Sequence, residues 1–230
     1  MPSEKRGTIQ GLLFDLDGTL VDSAPDIAAA ANVLLKAHDK EPLTVDDIRL
    51  MIGNGVKALV KRAFAKRGVD LDEANLDARN EEMMAIYAKN LTVLTTVMPG
   101  ADKTLDRYKQ SGMKLAVVTN KPEKFSREIC SYFGWDTVLD AIVGGDTCDD
   151  RKPAPGMLFH ACKQMGVDPA NCVMIGDSPA DIDSAKNAGM RSVAVRGGYT
   201  TIPVDDLGAG MVIDTLAALP DAVTALKNLP

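Results

Sequence analysis

Short apolar runs recur along the chain, and each stops at a polar turn. The first is Ile9–Asp15, reading IQGLLFD; others are Lys114–Thr119, Ala141–Gly144, Cys172–Gly176, Arg191–Val195 and Met211–Asp214. Near-continuous apolar runs of this length read as strands buried on both faces. The stretches between them carry helical spacing. Pro122–Phe133 opens with proline at the expected first helical position, Pro155–Met165 carries Leu158, Phe159 and Cys162, and Pro179–Ala188 stops at Gly189.

Residues 23–94 break this rhythm. Ile27, Ala31, Leu34 and Leu35 share one helix face, Val56, Leu59, Val60, Ala63 and Phe64 another, and Leu76, Met83, Ile86 and Tyr87 a third. Thr44, with Asp47 three residues on, caps a short helix between the first two. The pattern predicts an α/β protein: a doubly wound parallel sheet, Rossmann-like, with a small all-helical domain inserted after the first strand. The expected division is 1–22 plus 95–230 for the sheet domain and 23–94 for the helical one, the chain returning to the sheet near Met98-Pro-Gly100.

Composition narrows the role. The chain has 230 residues, 46% apolar and 25% charged, which excludes a disordered or collagen-like chain. Acidic residues outnumber basic ones 32 to 26. The sequence pI is about 5.0 and aromatics make up 4%, so no nucleic-acid partner is expected. No apolar run reaches bilayer length, so no membrane partner is expected. Met1–Arg6 carries no apolar stretch of the secretory kind. Cys130, Cys148, Cys162 and Cys172 form no CxxC pair and read as free thiols in a reducing cytoplasm, with Cys148 in a polar loop where a thiol is exposed. The sequence leaves monomer and homodimer equally open.

Candidate chemistry gathers where the strands end. In open α/β sheets ligands sit at the carboxyl ends of strands. Here those ends read Asp15-Leu-Asp17-Gly18-Thr-Leu, Thr119-Asn120-Lys121, Arg151-Lys152-Pro-Ala-Pro155 and Gly176-Asp177-Ser-Pro-Ala-Asp181. Asp15 and Asp17, two apart in extended backbone, face one side. Close carboxylates repel unless one is protonated or a cation sits between them. A carboxylate nucleophile splits phosphate-ester hydrolysis into two steps through an acyl phosphate, and the second carboxyl serves as general acid and then base. Gly18 permits a sharp turn and presents amide donors to an anion. Asp177 adds a third oxygen ligand, and a few hard oxygens beside a phosphate favour Mg²⁺. Thr119 donates to a phosphoryl oxygen and Lys152 neutralises developing charge.

These four motifs, in this order, resemble the haloacid dehalogenase superfamily over nearly the whole chain. The helical insertion is similar to its first class of cap, and Asp17 points to the phosphatase branch. The resemblance implies Asp15 as nucleophile and Asp17 as general acid/base. It implies Mg²⁺ on the Asp15 carboxylate, the Asp17 backbone carbonyl and Asp177, with Asp181 supporting the metal from behind. It also implies Thr119, the Asn120 amide and Lys152 on the phosphoryl group. Asp15–Ile27, Ile52-Gly-Asn-Gly55, Ala116–Pro122 and Gly144-Gly-Asp146 leading to Lys152 resemble the phosphoglycolate phosphatases most closely, whereas the Arg196–Pro203 loop departs from their usual reading. The implied partner is a small phosphorylated metabolite. For 2-phosphoglycolate, Gly53-Asn54-Gly55 at a helix start offers amides to the leaving carboxylate, with Lys57 and Arg62 as cationic candidates. The alternatives are a sugar phosphate or an amino-sugar-acid 6-phosphate, pyrophosphate, and a catalytically silent protein that binds a phosphorylated ligand. A β-phosphoglucomutase fits less well, because no histidine lies between Asp17 and Val33.

Overall fold

The computed structural model describes residues 8–227. The reading of Met1–Arg6 therefore lies outside the described residues, and among the described ones no helix is long and apolar enough to cross a membrane.

The predicted strands form one parallel sheet. The strands are β1 (Gly11–Phe14), β4 (Lys114–Val118), β5 (Ala141–Val143), β6 (Cys172–Gly176), β7 (Arg191–Val195) and β8 (Met211–Ile213), in the order β5-β4-β1-β6-β7-β8. Nearly every strand residue is buried, which is why the runs read as continuously apolar. The first strand pairs with β4 on one side and β6 on the other, so the order of connection reverses there. That crevice is where an open α/β sheet binds its ligand.

The crossover helices are α5 (Ala101–Gln110), α6 (Glu123–Tyr132), α7 (Gly156–Met165) and α8 (Pro179–Asn187), and α9 (Leu219–Lys227) follows the last strand. Pro122 occupies the capping position ahead of α6 rather than the first helical one, and Pro155 likewise stands at the capping position of α7. Pro179 does open α8, whose Ser178 and Asp181 form a capping box.

Residues 23–94 form α1 (Ala24–Ala37), α2 (Val45–Arg49), α3 (Val56–Lys66) and α4 (Glu73–Tyr87). Thr44 caps α2 reciprocally with Asp47, as the spacing predicts. The apolar faces of α1, α3 and α4 meet through Leu34, Leu35, Leu59, Phe64, Met83 and Tyr87, all buried. Entry to and exit from this segment run side by side. The two-residue strands β2 (Val21–Asp22) and β3 (Thr96–Val97) pair antiparallel, a pairing too short to leave a period in the sequence. Behind it, the buried Asp26 carboxylate accepts hydrogen bonds from the Leu94 and Thr95 amides and from the Thr95 hydroxyl.

All four cysteines are free; Cys148 is half-buried rather than exposed, and burial with Asp149 and Asp150 nearby pushes its thiol pKa up, away from a reactive thiolate.

Replacing Asp26 with alanine strands two buried amides and a hydroxyl at the point where the chain re-enters the sheet. Asp26→Ala is expected to cost about 3 kcal/mol, read as a lowered urea midpoint with unchanged slope.

Candidate active site

The first strand delivers Asp15 to the crevice because its own amide is still in the ladder, donating to the Ile175 carbonyl at 2.9 Å. The side chain is buried, and its Oδ1 accepts from Lys152 Nζ at 2.8 Å. The same ammonium donates to Asp181 Oδ1 at 2.6 Å and to the Val118 carbonyl at 2.7 Å, so all three of its N–H bonds are satisfied. Asp177, one residue beyond β6, accepts from the Thr19 hydroxyl at 2.8 Å and the Tyr199 amide at 2.7 Å. One oxygen each from Asp15, Asp177 and Asp181 lies within 4.8 Å of the others.

Three buried carboxylates against one lysine leave an excess of negative charge, and the titration behaviour follows from it. Burial, then the Asp181 charge, raises the Asp15 carboxyl to about 6 against the opposing pull of Lys152. Burial, then Asp181 and Asp15, raises Asp177 to about 8. Burial drives the Lys152 pKa down, but Asp15 and Asp181 more than reverse this and hold it above the ordinary lysine range. Oxygen donors this close, buried and under-compensated, suit a hard divalent cation.

The glycines around the cluster leave it room. Gly18 turns at φ +89°, and a Cβ there would meet Asp177 Oδ2 at 2.7 Å. Its amide donates to the Val21 carbonyl, so Gly18 supplies the turn and the space rather than the phosphate donor that the sequence suggested. A Cβ on Gly176 would come within 2.3 Å of Asp181 Cγ, and one on Gly198 within 2.3 Å of Asp177 Cβ.

Other expected residues divide. Asp17 stands outside the carboxylate cluster, with Lys121 Nζ on its two oxygens at 2.8 and 3.0 Å and the Ser23 hydroxyl donating to it. Thr119, one residue past β4, is buried and lines the cleft, its hydroxyl oxygen accepting from the Lys121 amide at 3.3 Å. The Asn120 side chain bridges three pieces of chain: its amide donates to the Gly53 and Lys152 carbonyls, and its oxygen accepts from the Lys152 amide. Asp181 stands in the carboxylate cluster itself rather than behind it, and its Oδ2 also accepts from the Ser178 amide and hydroxyl.

The helical segment closes the opposite side. Asp15, Asp17, Thr119, Asn120 and Lys121 share a cleft with Ile27, Ile52, Gly53, Gly55, Val56, Leu59, Met83 and Tyr87. Asn54 does not line it, because its side chain accepts from Arg62. Lys57 is half-buried and paired with Glu73 and Asp77, which takes it out of the site. Two residues outside the expected set matter. Lys121 lay inside the Thr119-Asn120-Lys121 string without a role. Tyr199 sits in the loop that departs from the resembling sequences; besides its amide contact, its hydroxyl donates to Asp22 and accepts from the Ala24 amide.

A parallel α/β sheet with a buried carboxylate at its switch point, a buried lysine on that carboxylate and two more acids from a later strand end is the arrangement of a hydrolase family. Residues 12–195 match the family model of the haloacid dehalogenase-like hydrolases, and the chain belongs to that family. It is 39% identical over 227 residues to a phosphoglycolate phosphatase of Psychrobacter arcticus, covering 96% of this chain and 97% of that one. It is 37% identical over 220 residues to the phosphoglycolate phosphatase of Caulobacter vibrioides, covering 95% and 93%. Among solved structures, a predicted phosphoglycolate phosphatase from Haemophilus somnus superposes with a TM-score of 0.87 at 31% identity, covering 93% of this chain and 97% of that one. The protein is therefore a phosphatase, and the silent-binder alternative falls away.

The raised carboxyls set a pH dependence. Both Asp15 and Asp177 titrate above the ordinary aspartate value of 3.8, so folding favours their protonated forms. The stability they contribute is complete below pH 3.8 and is lost as pH rises through about 6 and then about 8. Melting in metal-free buffer should show Tm falling between pH 6 and pH 8, and Asp177→Asn should flatten that fall.

Proposed function

We propose that this phosphatase is Mg²⁺-dependent and hydrolyses 2-phosphoglycolate to glycolate and phosphate. The observation that carries the reading is Asp15, buried at the sheet's switch point against Lys152 and opening onto a cleft that the helical segment closes. The substrate is supported by the phosphoglycolate phosphatases that match this chain over more than nine-tenths of its length.

Asp15 attacks phosphorus in line with the ester oxygen and becomes an aspartyl-phosphate. The leaving alkoxide takes its proton from Asp17, which then removes one from the water that attacks the phospho-enzyme. Thr119 and the Asn120 amide hold phosphoryl oxygens, and Lys152 offsets the charge that develops on them. When bound to Asp15, Asp177 and the Asp17 carbonyl, with Asp181 beside them, Mg²⁺ supplies the positive charge that lets a carboxylate approach an anionic phosphoryl group. Residues 23–94 act as a cap that excludes water from the cleft, hinged at the paired β2 and β3. Gly53 and Gly55, at the start of α3, border the leaving group.

Three measurements test this. Asp15→Asn is expected to lower kcat by roughly a thousandfold or more; retained turnover would remove the nucleophile assignment. A panel of phosphate monoesters assayed with Mg²⁺ and with chelator should give the highest kcat/KM for 2-phosphoglycolate and no turnover with chelator. A higher value for a sugar phosphate would transfer the assignment to that alternative. Mg²⁺ should also raise Tm more at pH 8 than at pH 6, because more of the carboxylate charge is present to be neutralised.

A further inference from the structure

The geometry points to Lys121 as the residue that selects for a negatively charged leaving group, an inference that rests on the phosphoglycolate reading. The helical wall of the cleft is largely apolar: Ile27, Ile52, Val56, Leu59 and Met83 bring no polar side-chain atom capable of donating to a carboxylate, and Tyr87 brings its ring to Lys121 together with a buried hydroxyl that has no hydrogen-bond partner. Lys121 is the one cationic side chain lining this cleft among the described residues. Lys152 cannot serve, since Asp15, Asp181 and the Val118 carbonyl take all of its donors.

Lys121 is held in place and held charged. Its ammonium lies 4.9 Å from the centre of the Tyr87 ring and meets both Asp17 oxygens. Two of its three N–H bonds meet Asp17, and the ammonium stands against the buried Tyr87 phenol, whose hydroxyl has no hydrogen-bond partner of its own; an anionic ligand is the acceptor that these two donors lack. Its position follows from the chain: it stands two residues past Thr119 on the phosphate-side loop and bonds the residue that protonates the leaving oxygen. An anionic group one carbon from the ester oxygen falls within that neighbourhood, whereas a neutral leaving group forfeits a charge-assisted bond in an apolar surround. The helical segment contributes Tyr87, so the same contact that orients Lys121 is made across the cleft.

The test compares 2-phosphoglycolate with 2-hydroxyethyl phosphate, which replaces the carboxylate by a hydroxymethyl group. The readout is the ratio of their kcat/KM values, measured on one preparation so that any unfolded fraction cancels. In the unsubstituted protein the ratio should favour the acid. In Lys121→Met it should fall by roughly tenfold to a hundredfold, with Lys121→Arg recovering part of the loss; Lys121→Gln carries the same reading where the methionine variant does not fold. A ratio that Lys121→Met leaves unchanged overturns the Lys121 assignment while the phosphoglycolate reading stands. An unsubstituted ratio near one overturns the substrate reading and the selector role together. A preference for the acid that collapses in the variant supports Lys121 even where some third ester is turned over faster than either.

Discussion

Lys152 donates to Asp15, to Asp181 and to the Val118 carbonyl from a position closed to solvent, and the whole sheet edge is arranged around that one ammonium. Removing ions from water is costly, and a buried pair recovers the cost only when every donor and acceptor is matched. Lys152 is matched completely, but the three carboxylates around it are not neutralised by it. The fold therefore carries a standing electrostatic deficit at its centre. Such a deficit is tolerable where a ligand of the right sign relieves it, and it explains why an acidic protein can serve an anionic substrate: the overall charge of -6 says little about the sign presented inside the cleft once a cation is present.

Asp181 shows how closely site and scaffold are joined. One of its oxygens meets Lys152, and the other closes the capping box at the start of α8. Tyr199 joins two further parts, its amide on Asp177 and its hydroxyl between Asp22 and the Ala24 amide, at the point where the chain leaves the sheet for the helical segment. Asn120 joins a third pair, the Gly53 loop and the Lys152 loop. The carboxylate cluster is thus in hydrogen-bonded contact with the elements that close over it.

What the sequence revealed and what it concealed have physical causes. Strands buried on both faces leave continuous apolar runs, so the sheet and Asp15, Thr119 and Asp177 at its ends were legible. The amphipathic faces of α1, α3 and α4 were legible for the same reason, as was the Thr44 cap. The pairing of β2 with β3 was not, since two residues show no alternation. The helix α5 was masked by its charged positions, with Ala101, Leu105 and Tyr108 alone marking its buried side. Lys121 and Tyr199 act through contacts between segments far apart in the chain, 104 residues from Asp17 in the first case and 177 from Asp22 in the second. The only local signals were a lysine in a strand-end loop and an aromatic residue after two glycines.

The glycines behind the carboxylates bear on how this chain can change over generations. At Gly176 and Gly198 any side chain would occupy the space of an aspartate carbon, and at Gly18 it would press on the Asp177 carboxylate. The sheet edge consequently has almost no neutral neighbours in sequence space. The facing wall differs: Ile52 and Val56 are partly buried apolar side chains whose size can vary without touching the reacting groups. Heritable variation that survives is channelled toward that wall, so the chemistry stays fixed while the shape of the accepted ester drifts.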